Sequence, residues 1–280
     1  MNNFLTRSLT AVWIVLFIIG GFWLHPVSFL LAGLILLLGT QYEYFNLIRS
    51  SGVNPQTVPG MITGAAAYVL SALAASGRIQ MVFLLLILPL LTAVTITELY
   101  RRGDKPFDSL AHTFFSLFYI AVPFSLFPFS AFGREGMGTI MPYTEGSFSP
   151  GIVLGFFLLL WANDTGAYLV GVTMGKHRLM ERISPKKSWE GFIGGILASA
   201  SASFLICKWF GVTGQWQWLT AALIISVTGT YGDLVESMLK RSLGVKDSGN
   251  ILPGHGGFLD RFDSTLISFP LVFLFLTLFG

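Results

Sequence analysis

Four carboxylates late in the chain are spaced for joint work. Asp233 and Glu236 lie three residues apart, and Asp260 and Asp263 repeat that interval. On helices each pair shares a face, so two neighbouring helices would present all four acids to one space. Carboxylates gathered in this way repel one another unless a cation joins them. Hard oxygen ligands beside water favour Mg²⁺, which binds through one or two carboxylates plus the phosphates of a substrate. The loop between the pairs carries Lys240, Arg241, Lys246 and His255, with glycines at 254, 256 and 257. Glycines let backbone N–H groups approach an anion, and the helix that follows adds its N-terminal dipole. Acids for a metal with basic side chains beside them suit polyphosphate chemistry. The plainer alternative is packing alone, with the acids neutralised by Lys240, Arg241 and Arg261.

These residues must be held by elements that live in lipid. The chain has 280 residues, 53% hydrophobic and only 11% charged, against roughly 25% charged in soluble domains. Too few polar side chains exist to cover a water-facing surface. Apolar runs predict an all-α integral membrane protein, a polytopic bundle of about nine spans of some 20 residues. They cover 8–24, 27–46, 58–75, 79–99, 110–132, 151–171, 189–210, 216–239 and 260–279. Only His25 and Pro26 separate the first two, so a count of eight is the alternative. The whole reads as one membrane domain over 1–280, with hydrophobic spans in 1–150 and the chemistry in 151–280. The first segment reads as a retained signal anchor, since bulky residues rather than a small-residue cleavage site follow it. The single Cys207 excludes an intrachain disulfide framework.

With the N-terminus in the cytoplasm, every lysine and arginine except Arg78, Arg134 and Lys208 falls on the cytoplasmic side, as the positive-inside rule requires. The C-terminus then lies outside. Ionisable groups within spans are costly, about 2.5–3.5 kcal/mol each near a helix centre. Asp164, Asp233, Glu236 and Asp263 therefore call for partners, as do Glu43 and Glu98 nearer helix ends. Counted back from Lys176 and Lys240, Asp164 lies ~18 Å and Asp233 ~10 Å inside. Together they predict a polar cavity open to the cytoplasm.

At these residues the sequence resembles the phosphatidate cytidylyltransferases, or CDP-diacylglycerol synthases. The family signature is matched at Ser237, Lys240, Arg241, Lys246, Asp247, Gly249, Pro253, His255, Gly256, Gly257, Asp260, Arg261 and Asp263. The likeness extends upstream to Asn163-Asp164-Thr165-Gly166-Ala167-Tyr168, to Ser184-Pro185-Lys186-Lys187-Ser188-Trp189-Glu190-Gly191 and to Gly232-Asp233-Leu234-Val235-Glu236. The first half matches only as a hydrophobic, multi-span region.

The resemblance implies a helical membrane bundle, often a homodimer, with a polar funnel at the cytoplasmic face of the cell's inner membrane. It also implies a reaction of CTP with phosphatidic acid that gives CDP-diacylglycerol and pyrophosphate for phospholipid synthesis. The family's metal-binding aspartates map onto Asp233 and Asp260, with Glu236 and Asp263 as further ligands or orienters of Mg²⁺ and room for a second cation. Lys240, Arg241, Lys246 and Arg261 would offset phosphate charge, with Gly256 and Gly257 in the same loop, and His255 would orient a phosphate oxygen or simply shape the turn. Asn163 and Asp164 would face the cytosine or the metal cavity. Ser184, Lys186, Lys187 and Ser188 would cap that cavity or bind phosphates, unless the basic loop is only a topology signal.

Other chemistries lack their residues. No G-x-x-x-x-G-K-[ST] run is present, because Gly171 and Gly175 before Lys176 stand one residue too close together and His177 follows. H-E-x-x-H and D-G-x-x-A-R are absent, which argues against a zinc hydrolase and a CDP-alcohol phosphotransferase. No nucleic-acid partner is implied. A cation-coupled transporter is the rival from another class, with the buried acids as its ion path, but no internal repeat is visible.

Overall fold

The computed structural model describes residues 3–132, 148–245, 247–249, 251–252 and 256–280. His25 and Pro26 do end one helix and start another. α1 (Asn3–Trp23) stops before them, and α2 (Pro26–Arg49) takes Pro26 in its first turn. The His25 ring accepts a hydrogen bond from the Val27 N–H at 3.1 Å, so a side-chain cap replaces the bonds that the first helical turn lacks. α3 (Thr57–Ala75) follows, then α4 (Met81–Tyr100), which opens as a 3₁₀ turn over Met81–Leu86. α5 (Pro106–Ala131) carries a π turn over Leu117–Ala121 just ahead of Pro123. Proline takes away a backbone donor, and widened turns accommodate such defects.

The second half contains α6 (Gly151–Met174), α7 (Trp189–Phe210), α8 (Gln215–Ser242) and α9 (Leu259–Phe279). Among the described residues, eight helices, α2 to α9, are long and apolar enough to cross a membrane; in α1 the stretch Leu9–Trp23 is apolar but shorter. The expected helical bundle is therefore present, with one addition. Between α6 and α7 the chain forms a hairpin of β1 (Arg178–Met180) antiparallel to β2 (Ser184–Ser188). The loop expected outside over 131–150 lies largely beyond the described residues; at its roots Phe132 and Phe148 pair as an isolated bridge.

The core is aromatic. Phe127 meets Phe269 edge-on at 4.4 Å, and Phe156 meets Phe269 at 5.1 Å, so α5, α6 and α9 lock through their rings. The outer surface is apolar too: Trp13, Leu99, Leu197 and Leu278 are all exposed, which is stable only against lipid. Close approach of α6 and α7 depends on small residues. A Cβ on Gly195 would stand 3.0 Å from the Asn163 carbonyl oxygen, and one on Gly191 2.8 Å from that of Ala167. The glycine pairs 60/64, 151/155 and 191/195 are all spent on packing within the chain.

Candidate active site

Charged residues on α6, β2, α8 and α9 gather at one end of the bundle. A cavity of about 300 Å³ is lined by Asn163 and Asp164 of α6, Lys186, Lys187 and Ser188 of β2, Thr230 and Asp233 of α8, and Ser264 of α9. Asp164 lies ten residues inside the end of α6, about 15 Å by helical rise, so polar lining extends well into the span. The Lys187 ammonium binds the Asp233 carboxylate at 2.8 Å and the Thr230 carbonyl at 3.2 Å. Asp233 also accepts from the Ser237 hydroxyl one turn on, at 3.2 Å. It stays 39% exposed, which leaves it open to a ligand entering the cavity. Ser188 serves as the N-cap of α7, accepting from the Gly191 N–H at 3.1 Å.

A second knot ties α8 to α9. The Lys240 ammonium lies 2.6 Å from Glu236 and 2.7 Å from Asp260. Asp260 also accepts from the Gly257 N–H at 2.9 Å and the Ser248 N–H at 3.2 Å. Glu236 is 1% exposed, and its Oε1 has no hydrogen-bond partner. Asp263, buried as well, accepts from the Ser264 N–H at 2.6 Å. It lies within electrostatic reach of Asp233, Asp164 and Lys187, and so links the knot to the cavity. The helices approach this closely because residue 232 is glycine: a Cβ there would sit 2.8 Å from the Asp263 carbonyl oxygen.

Of the residues singled out in the sequence, Asn163, Asp164, Lys186, Lys187, Ser188 and Asp233 share the cavity. Glu236, Lys240, Gly257 and Asp260 share the knot, with Asp263 between. Ser184 starts β2 outside the lining, and Arg261 is exposed. The Arg241 guanidinium donates to the Val245 carbonyl at 3.4 Å. Gly256 adopts φ +77°, a conformation that favours glycine. Lys246 and His255 lie outside the described residues. Among the described residues, no three of His, Cys, Asp and Glu stand close enough together to hold a metal by themselves.

One expectation needs correction. Two donors at the start of α9, the Gly257 and Leu259 N–H groups, are not free for a phosphate, because the protein's own carboxylates take them. Glu43 of α2 accepts from the Leu259 N–H at 3.0 Å, and Asp260 takes the Gly257 N–H. Glu43 is 2% exposed. A Cβ on Gly249 would stand 2.8 Å from its Oε1, and one on Gly257 would collide with the same carboxylate. These glycines thus make room for a buried acid beneath the loop. Sequence reasoning asks for a partner for Glu43 as a carboxylate in an apolar span, but does not place it beneath the site loop.

With that geometry in view, comparison with known proteins decides the family. The sequence profile of the cytidylyltransferase family matches residues 5–279. The chain belongs to that family. A phosphatidate cytidylyltransferase of Staphylococcus epidermidis is 33% identical over 273 residues, covering 95% of this chain and 96% of its own. That of Staphylococcus haemolyticus is 33% identical over 276 residues, with the same coverage. That of Staphylococcus aureus reaches 48% identity over 138 residues, 49% of this chain and 53% of its own. Family membership thus spans the hydrophobic first half as well as the motif-bearing second half.

Proposed function

We propose that this multi-pass membrane protein transfers the cytidylyl group of CTP to phosphatidic acid, giving CDP-diacylglycerol and pyrophosphate. The observation that carries the reading is family membership across 5–279 joined to full-length relatives bearing that activity in their names. The site's geometry agrees with it, since cationic side chains line a cavity set among membrane helices.

In the reaction, a phosphate oxygen of phosphatidate attacks the α-phosphorus of CTP in line. One P–O bond forms, the bond to the β-phosphate bridging oxygen breaks, and pyrophosphate leaves with its electrons. Phosphatidate is already an anion, so positioning and charge neutralisation outweigh base catalysis. Lys187 and Lys186 at the cavity wall would meet the triphosphate. Lys240, Arg241, Lys246 and Arg261 would offset charge on the leaving group and the lipid headgroup, with His255 orienting a phosphate oxygen. Asn163 and Asp164 would bound the nucleotide end, and Ser184, Ser188, Gly256 and Gly257 would shape the surrounding loops.

Mg²⁺ belongs to the same proposal. The donor set suits it: Asp233 is open to the cavity, and Glu236 keeps a buried oxygen unsatisfied, while one or two carboxylates suffice when phosphates supply the other ligands. Asp233 and Asp260 would hold the ion, Asp260 by exchanging its Lys240 partner for it, helped by Glu236 and Asp263, with a second cation allowed. When bound, the ion would neutralise charge on the phosphoryl oxygens. A homodimer is also part of the reading, and its support is the resemblance alone.

The test is transfer of labelled CMP from CTP to phosphatidate by the purified chain in mixed micelles. Label is expected in lipid only with Mg²⁺, and chelation should stop it. Asp233→Asn and Asp260→Asn should each reduce transfer at least about 100-fold while the protein still purifies folded. Ion flux in liposomes without CTP turnover would overturn the reading in favour of a transporter.

A further inference from the structure

A groove of about 450 Å³ opens on the far side of α9 from its acids. Its walls include Trp13 and Phe17 of α1, Ile35 of α2, Leu252 and Phe258 of the site loop, and Phe262 of α9. Phe258 and Phe262 stack one turn apart, with rings 6.5 Å apart and 18° from parallel, so they make an aromatic stripe down one face of α9. Asp260 and Asp263 project from the other face toward Lys240 and the cavity. The end of α9 therefore separates a charged compartment from an apolar one.

We propose that this groove holds an acyl chain of the phosphatidic acid whose phosphate reacts at the site, an assignment that rests on the function proposed above. Three observations select that occupant. First, the groove starts at the level of the site: Phe258 lies two residues from Asp260, and its ring packs against Gly39 of α2, four residues from Glu43. Second, it descends in the right direction for about the right distance. From Glu43 to Ile35 is eight residues of α2, about 12 Å of helical rise, against ~15 Å for the hydrocarbon of one leaflet. Third, its upper wall is the site loop itself, where the Leu252 N–H donates to the Gly256 carbonyl at 3.0 Å and Gly257 holds Asp260. An acyl chain against Leu252 and Phe258 touches the segment that positions the acid. Trp13 is 70% exposed and Ile35 49%, so the groove opens sideways, as a lipid entering from the bilayer requires.

The experiment uses the full chain in nanodiscs with two phosphatidates, a dipalmitoyl and a dihexanoyl form. Ile35→Trp fills the groove. It should raise KM for the long-chain lipid about tenfold more than for the short one, the equivalent of roughly two buried methylenes. Equal shifts for both lipids, or none, would overturn the proposal. A direct readout covers misfolding of that variant: wild-type protein is irradiated with phosphatidate carrying a mid-chain diazirine and mapped by mass spectrometry. Cross-links at Phe17 or Ile35, competed by unlabelled phosphatidate, are the result expected. An equal yield from a phosphatidylcholine analogue would assign the groove to bulk lipid, and cross-links confined to other helices would place the chain elsewhere; either overturns it. If wild-type protein transfers CMP to neither lipid, the parent function fails, whereas transfer without chain selectivity sinks the groove alone.

Discussion

Lys240 carries two carboxylates at once in a setting that is mostly out of water. Its side chain is 13% exposed, against 1% for Glu236 and 10% for Asp260. Removing the ammonium leaves two acids facing each other without a counter-charge, which costs on the order of 3–5 kcal/mol in buried pairs. Lys240→Met should therefore lower thermal stability sharply, as read by unfolding in detergent. Adding Glu236→Gln should restore part of that loss without restoring CMP transfer; recovery of transfer would show that Lys240 acts only on packing. The spacing of the four acids was legible in the sequence, because three-residue intervals on helices have only one geometric meaning. The partners were not. Lys187 and Asp233 meet across two elements, and no local pattern says which ammonium reaches which carboxylate.

Between elements, the decisive contact joins halves of the chain that are remote in sequence. Glu43 and Leu259 are separated by 216 positions, yet the carboxylate of one caps the helix that starts at the other. The cap clamps α2 to α9 at the loop that also supplies Ser248 and Gly257 to Asp260. Glu43→Ala should strip the Leu259 N–H of its acceptor at a cost of about 1–3 kcal/mol, loosening the loop above. The expected outcome is a lower melting temperature with a fall in kcat that Glu43→Gln, which keeps a carbonyl acceptor, largely avoids. Equal losses in both variants would point to the charge rather than the cap. Span positions were readable from apolar runs, and the α1–α2 break from His25-Pro26, since both depend on local composition. The hairpin of β1 and β2 was not, because it is closed by contacts beyond its own residues: the backbone N–H groups of Lys176 and His177 donate to Glu190 at 3.1 and 3.2 Å.

At the scale of the whole molecule, the site and the basic residues constrain how the bundle sits in its membrane. Asn54, Glu98, Arg101 and Ser109 are stitched together where α4 gives way to α5: the Arg101 guanidinium lies 2.8 Å from Glu98 and donates to the Asn54 carbonyl at 3.0 Å and the Ser109 hydroxyl at 2.9 Å. If CTP is the nucleotide donor, the cavity must face the cytoplasm, and the basic loops belong on that side by the positive-inside rule. Arg78, in the connection from α3 to α4, must then face outward, one membrane crossing away from Gly103 in the connection from α4 to α5. Both positions are exposed, and Cys207 is the chain's single cysteine, so Cys207→Ser gives a clean background. In intact cells a membrane-impermeant maleimide should label Arg78→Cys and leave Gly103→Cys untouched until the membrane is opened. The reverse pattern would put the cavity on the side without CTP, and the cytidylyl-transfer reading could not survive it.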